Sequence, residues 1–212
     1  MSIADLRVVY DKDVLLESAL ARDPLAQFAA WFEAALSSDE HEPNAMTLAT
    51  ADTYGQPSAR IVLLKGMDAR GLVFFTNYQS RKGQELAANP RASLLFFWPE
   101  RQRQVRIEGR AERLPAADSD EYFASRPKAS RIGAIASPQS QVIENRSVLE
   151  AKVDELTAVF SGTEWVPRPD FWGGYLVRPV RMEFWQGRSN RLHDRIEYIL
   201  ENNRWTKSRL AP

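Results

Sequence analysis

Gln104-Val-Arg-Ile-Glu-Gly-Arg-Ala-Glu-Arg113 decides the fold. Val105, Ile107, Gly109 and Ala111 fall on one face, and Arg106, Glu108 and Arg110 on the other. That period of two is a strand with one packed side and one wet side. Working back from it, Ala92–Trp98, Leu72–Asn77, Ser58–Lys65 and Ala45–Ala51 also read as strands. Tyr54-Gly55 and Asp68-Ala69-Arg70-Gly71 supply turns between them. Working forward, strands are predicted at Tyr175–Arg178, Arg181–Gln186, Arg195–Leu200 and Trp205–Leu210, with Glu201-Asn202-Asn203 as the last turn. Helices are fewer. Asp23-Pro24 is a cap followed by proline at the first helical position, and Leu25, Phe28, Ala29, Phe32 and Leu36 then recur at helical spacing. Further helices are predicted at Ser80–Asn89, Ala116–Ser125 and Ser147–Phe160, the last with a Ser147–Glu150 capping box. Short antiparallel strands at this density imply a mainly β fold, a closed or partly closed barrel with helices packed on it.

Composition narrows the function. A chain of 212 residues suits one well-buried core, and we expect a single domain over residues 21–212 behind a mobile N-terminal segment, residues 1–20. Lys+Arg and Asp+Glu are both 28, so no general basic field points to nucleic acid. The absence of cysteine excludes disulfides, thiolate metal sites and a cysteine nucleophile. His41 and His193 are the two histidines, too few for a His-rich metal site, and no metal is expected. Met1 to Arg7 lacks the basic start and apolar run of a signal peptide, and the dense apolar run Leu94–Trp98 is too short to span a bilayer. The chain therefore reads as cytoplasmic, with no membrane partner.

Four stretches carry chemistry. Trp185-Gln-Gly-Arg-Ser-Asn-Arg191-Leu-His193-Asp-Arg195 sets cations and an imidazole beside an indole. If that segment is extended, Arg191, His193 and Arg195 share one side, suited to an anion with a planar ring, although a solvated strand end explains it equally well. Arg60 and Lys65 stand at the two ends of one strand, five apart, and would face opposite sides if it is regular. Thr76-Asn-Tyr-Gln-Ser-Arg81-Lys82 runs from a strand into a helix start, where backbone N–H groups, hydroxyls and two cations make a phosphate site; the competing reading is a simple helix cap. Tyr122, Arg126 and Ser130 recur four apart around a helix end that Pro127 must break, either as a second phosphate grip or as a Tyr–Arg stack. Gln104 and Gln139-Ser140 offer donors for the polar edge of a heterocycle, and Phe171-Trp-Gly-Gly-Tyr175 is core or a flat pocket wall.

Taken in order, these stretches with Phe74-Phe-Thr-Asn77, Glu183-Phe-Trp-Gln-Gly187 and Arg209-Leu-Ala-Pro212 resemble the pyridoxine (pyridoxamine) 5′-phosphate oxidase family along nearly the whole chain. The resemblance implies a Greek-key-like split β-barrel with peripheral helices, forming a homodimer with FMN at the subunit interface. It implies FMN contacts at Arg60, Lys65, Phe75, Thr76, Arg81, Lys82, Gln104, Gln139, Ser140, Trp185 and Arg195. Phe75 replaces the tyrosine of some members, with little consequence expected for a backbone contact. It implies a substrate grip at Lys65, Tyr122, Arg126 and Ser130, with Arg191 and His193 over the pyridine ring as the catalytic pair. Arg188-Ser189-Asn190 departs most from the family pattern. The implied reaction oxidises pyridoxamine 5′-phosphate or pyridoxine 5′-phosphate to pyridoxal 5′-phosphate, with O2 as acceptor and H2O2 released. Two rival readings are another flavoprotein on the same barrel, including one using a deazaflavin, and a non-catalytic binder of FMN or pyridoxal phosphate.

Overall fold

The computed structural model describes residues 2–6 and 8–212, so residues 1 and 7 of the expected mobile segment lie outside the described residues. The strands are β1 (Ala45–Ala51), β2 (Pro57–Leu63), β3 (Gly66–Asp68), β4 (Gly71–Asn77), β5 (Arg91–Trp98), β6 (Arg103–Arg113), β7 (Trp172–Gln186), β8 (Asp194–Glu201) and β9 (Arg204–Leu210). They form one antiparallel sheet in the order β2-β1-β5-β6-β7-β4-β3, with β8 on β7 and β9 beyond it. The alternating strand that decides the fold lies at the centre, with β6 registered against β5 from Arg91↔Arg110 and against β7 as far as Arg113↔Tyr175.

The two strands predicted at Tyr175–Arg178 and Arg181–Gln186 are one. Gly109 of β6 pairs with Pro179 while Glu108 pairs with Arg181, leaving Val180 as an extra residue. Pro179 has no N–H to give the ladder, and a bulge at that point lets the strand bend without ending. Gly109 permits the bend, since a Cβ there would lie 2.3 Å from the Arg178 carbonyl oxygen. The bend divides the far edge of β7, which gives residues 172–177 to β4 and 181–186 to β8.

The barrel closes at a single corner. The Leu64 N–H donates to the Asn44 carbonyl at 2.8 Å and the Lys65 N–H to the Val73 carbonyl at 2.8 Å. Beyond that corner β2 follows β1 and β4 follows β7, so the two strands diverge and the barrel is split. Because β2 ends at Leu63, Lys65 lies past the strand, and the expected opposite facing of Arg60 and Lys65 does not hold.

Helix α1 (Pro24–Leu36) closes one side of the barrel, with the Asp23 carboxylate accepting from the Leu25 and Ala26 N–H groups. Phe28, Trp31 and Ala35 are buried against it, with Phe28 edge-on to Phe96 and Trp31 edge-on to Phe184. Helix α2 (Arg81–Ala88) is capped by Ser80 as expected. After α3 (Ala116–Ser125), Pro127 breaks the helix and opens α4 (Lys128–Ala136), which sequence reading missed. Helix α5 (Arg146–Val159) is capped two residues earlier than expected, by Asn145 and not Ser147. Asn145 accepts from the Ser147 and Val148 N–H groups, and Glu150 pairs with Arg146 instead of closing a box. These three helices build a second core on Phe123, Ile132, Val166 and Trp172.

The second half of the N-terminal segment has definite contacts. The Gln102 side-chain oxygen accepts from the Asp11 and Lys12 N–H groups at 3.0 and 3.1 Å, and Leu15 and Leu20 join the main core. The last hairpin turns on Asn202 and Asn203, both at positive φ, as a two-residue turn between twisted strands requires. Among the described residues no helix is long and apolar enough to cross a membrane.

Candidate active site

The split between β2 and β4 is a cavity of about 450 Å³, lined by Arg60, Lys65, Phe75, Thr76, Lys82, Tyr122, Arg126 and Gln139 among others. A second cavity of about 300 Å³ shares Arg126 and Gln139 with it and adds Ser130. Residues predicted from five separate stretches thus meet in two adjoining spaces. Lys65 reaches the same cavity as Arg60 because the chain turns at the barrel corner between them.

The cationic end of the cavity is built from β4 and the start of α2. Lys82 is 9% exposed and points its ammonium at Thr76 Oγ1 (3.3 Å), Ser80 Oγ (3.4 Å) and Gln139 Oε1 (3.1 Å). It has no carboxylate within ion-pair distance among the described residues. Burial, and then the neighbouring Arg60, pull its pKa below the usual lysine value. A buried ammonium held by neutral oxygens at a helix start, where the helix dipole is positive, is arranged for an anion such as a phosphate ester. Arg60 is held at the edge of this space by the Leu48 carbonyl and the Thr50 hydroxyl.

The other end is aromatic. Phe75, Tyr122 and Trp172 stack nearly parallel, with Phe75 to Tyr122 at 3.8 Å between centroids and Phe75 to Trp172 at 5.5 Å. The Arg126 guanidinium lies over Trp172, 4.7 Å from the ring centre. Its Nη1 is buried and has no hydrogen-bond partner. Burial lowers the Arg126 pKa and, with Arg126 only partly countering it, raises that of the Tyr122 phenol. An orphaned guanidinium N–H beside a phenol, Lys65 and the Ser130 hydroxyl fits a second anion. Among the described residues, no group of three or more His, Cys, Asp or Glu gathers as for a metal.

The remaining candidates lie elsewhere. Gln104 pairs with Trp185 across β6 and β7, while the cavity abuts the other end of β7, where Gly174 pairs with Phe75. Gly174 and Trp185 are eleven positions apart on β7, at most about 35 Å, the bend at Val180 shortening the straight-line span. His193 packs on Trp185 (4.6 Å between rings), and Tyr10 stands edge-on to both. The segment before β8 is not extended. Ser189–Arg191 is a tight turn with Asn190 and Arg191 at positive φ, so Arg191, His193 and Arg195 do not form the expected row. Arg191 is exposed, and Arg195 is tied to Glu183 Oε1 at 2.8 Å and to the Ala211 carbonyl at 2.9 Å. His193 Nδ1 accepts from the Arg188 N–H at 3.1 Å, which leaves Nε2–H free to donate. Arg81 is outside the cavity lining and bonds Glu85, and Ser140 is exposed at positive φ beside Gln139. Tyr10 was missed, because a lone tyrosine in an N-terminal segment without regular periodicity carries no spacing signal.

Fold and site together define a split barrel with two adjoining cation-lined cavities, and solved structures share the architecture. An FMN-binding protein from Nostoc punctiforme related to pyridoxamine 5′-phosphate oxidase superposes with a TM-score of 0.70 at 16% identity, covering 91% of this chain and all of that one. PhzG from Burkholderia lata 383, in complex with tetrahydrophenazine-1-carboxylic acid, matches with a TM-score of 0.89 at 35% identity over 94% of this chain and 98% of that one. The family model "Pyridoxamine 5′-phosphate oxidase" matches residues 32–160, and "Pyridoxine 5′-phosphate oxidase C-terminal dimerisation region" matches residues 172–212. Proteins named pyridoxine/pyridoxamine 5′-phosphate oxidase from Salinibacter ruber and Bordetella petrii are 54% and 56% identical, each covering at least 99% of both chains. The chain belongs to the pyridoxamine 5′-phosphate oxidase family, oxidoreductases with a flavin cofactor.

Proposed function

We propose that this chain oxidises pyridoxine 5′-phosphate and pyridoxamine 5′-phosphate to pyridoxal 5′-phosphate with FMN as cofactor and O2 as the final acceptor, releasing H2O2. One observation carries the reading: two adjoining cavities each present a cation with no carboxylate partner among the described residues, the buried Lys82 in one and, in the other, the half-buried Arg126 with its buried Nη1. A phosphorylated cofactor and a phosphorylated substrate would satisfy both.

Lys82, Thr76, Gln139 and Arg60 would hold the cofactor phosphate and ribityl chain, with Arg81 close behind. Bound there, FMN would supply the hydride acceptor that the protein itself lacks. Arg126, Tyr122, Ser130 and Lys65 would hold the substrate phosphate, so that the reacting carbon is placed by binding rather than by chance encounter. Arg191 is suited to orienting substrate, since a guanidinium hardly releases a proton. His193, held by Arg188, would donate from Nε2 to a ring substituent.

Gln104, Trp185, His193 and Arg195 complete the site only if a second copy contributes them. Their distance along β7 from the cavity and the match of residues 172–212 to a dimerisation region support a homodimer with shared sites. The PhzG likeness favours weighing a second substrate class, a tetrahydrophenazine carboxylate, which carries no phosphate for Arg126.

A peroxide assay tests the reading. Pyridoxine 5′-phosphate and pyridoxamine 5′-phosphate should each give one peroxide per aldehyde formed. Turnover of tetrahydrophenazine-1-carboxylic acid but not of either phosphate ester would refute the substrate assignment. Binding of FMN without peroxide from any of the three would make the chain a binder.

A further inference from the structure

Glu85 lies on α2, behind the cationic end of the cavity, and is 6% exposed. Its Oε2 accepts from the Thr50 hydroxyl (2.5 Å), the Ser58 hydroxyl (2.7 Å) and Arg60 Nη2 (3.2 Å). Its Oε1 accepts from Arg81 Nε at 2.8 Å, a pair four residues apart on one helix face. The same hydroxyls also take Arg60, with Nη1 to Thr50 at 2.5 Å and Nη2 to Ser58 at 2.5 Å. One carboxylate therefore ties an arginine on β2 to an arginine in the first turn of α2, and β1 is tied in through Thr50.

We propose that Glu85 is a positioning residue for the cofactor phosphate, fixing the Arg60 and Arg81 guanidiniums so that they meet the phosphate already oriented. This rests on the FMN reading above. Without the carboxylate, Arg60, Arg81 and Lys82 are like charges crowded around one helix start, and each arginine regains its rotamers. Burial pushes the Glu85 carboxyl up, but the Ser58 and Thr50 hydroxyls with Arg81 and Arg60 outweigh it and hold the pKa at about 2. The group is therefore charged throughout the neutral range.

The sign of the effect separates positioning from plain electrostatics. A negative charge beside an anion site repels the anion, so if charge alone mattered, Glu85→Gln would tighten FMN. Positioning predicts the reverse. The experiment is titration of apoprotein with FMN and with riboflavin, followed by quenching of flavin fluorescence. In Glu85→Gln the FMN dissociation constant should rise roughly tenfold to a hundredfold, the worth of one charge-assisted hydrogen bond, with riboflavin unchanged. Unchanged or tighter FMN binding overturns the proposal, and so does an equal loss for riboflavin, which would mark a merely structural role. Glu85→Asp keeps the charge but is too short to hold both arginines. It should lose FMN selectively as well, and it decides the matter if Glu85→Gln does not fold. Wild-type apoprotein that binds neither flavin would instead overturn the cofactor reading, and this inference with it.

Discussion

Replacing Arg126 with methionine separates substrate recognition from stability. In the free protein its Nη1 is buried and unpartnered, and the guanidinium sits 4.7 Å over Trp172. Leaving a buried donor unsatisfied costs about 1–3 kcal/mol, while the cation–π contact returns about 0.5–2 kcal/mol. These partly offset, so Arg126→Met should shift unfolding free energy by somewhere between about 1 kcal/mol lost and about 2.5 kcal/mol gained. Binding a phosphate ester gives Nη1 its partner, a hydrogen bond between charged groups contributing about 1.5–3 kcal/mol. The variant should therefore lose roughly ten- to 150-fold in kcat/KM for pyridoxine 5′-phosphate. Turnover of unphosphorylated pyridoxine, however slow, should be nearly untouched. The assays are peroxide release on both substrates and urea unfolding of the same preparations. Equal losses on the two substrates would refute the phosphate assignment. A stability loss of several kcal/mol would show that Arg126 serves the fold.

Two further outcomes follow from the other patch. Burial, then the Arg191 charge, hold the His193 imidazole below its usual 6.5, so its neutral form, with Nδ1 accepting from Arg188, prevails at neutral pH. Because the folded value is depressed, the group's stabilising contribution is complete above about 6.5 and is lost as pH falls towards the folded value. The kcat/KM profile should show an acid limb with its inflection below 6.5 that is absent in His193→Asn; an inflection above 6.5 would contradict this. If sites are shared between two copies, mixing Arg126→Met chains with His193→Asn chains should restore about a quarter of wild-type activity, since half the dimers are mixed and one of their two sites is intact. No recovery after verified exchange would place the whole site within one chain.

Local signals carried much of this structure. The alternation of Gln104–Arg113 sets every second residue of β6 towards the core, and Asp23-Pro24 starts α1 where cap chemistry demands. What escaped was non-local or very short. The three residues of β3 are too few for periodicity, and α4 begins at a proline read only as a helix breaker. Arg60 and Lys65 share a cavity because the barrel corner reverses the chain, a tertiary fact with no trace in their spacing. The Arg191–Arg195 row failed for a local reason, two left-handed residues at Asn190 and Arg191. Glu85 offered no motif at all, since its partners Thr50, Ser58 and Arg60 come from other strands.

In the proposed reaction one flavin and one phosphorylated B6 vitamer occupy the two cavities in contact. Anaerobic titration of FMN-loaded protein with pyridoxine 5′-phosphate tests it directly, by following the visible flavin band. Bleaching should complete at one equivalent per flavin, with pyridoxal 5′-phosphate formed in equal amount and the colour restored by air. A flavin band that stays unbleached at saturating pyridoxine 5′-phosphate would contradict it.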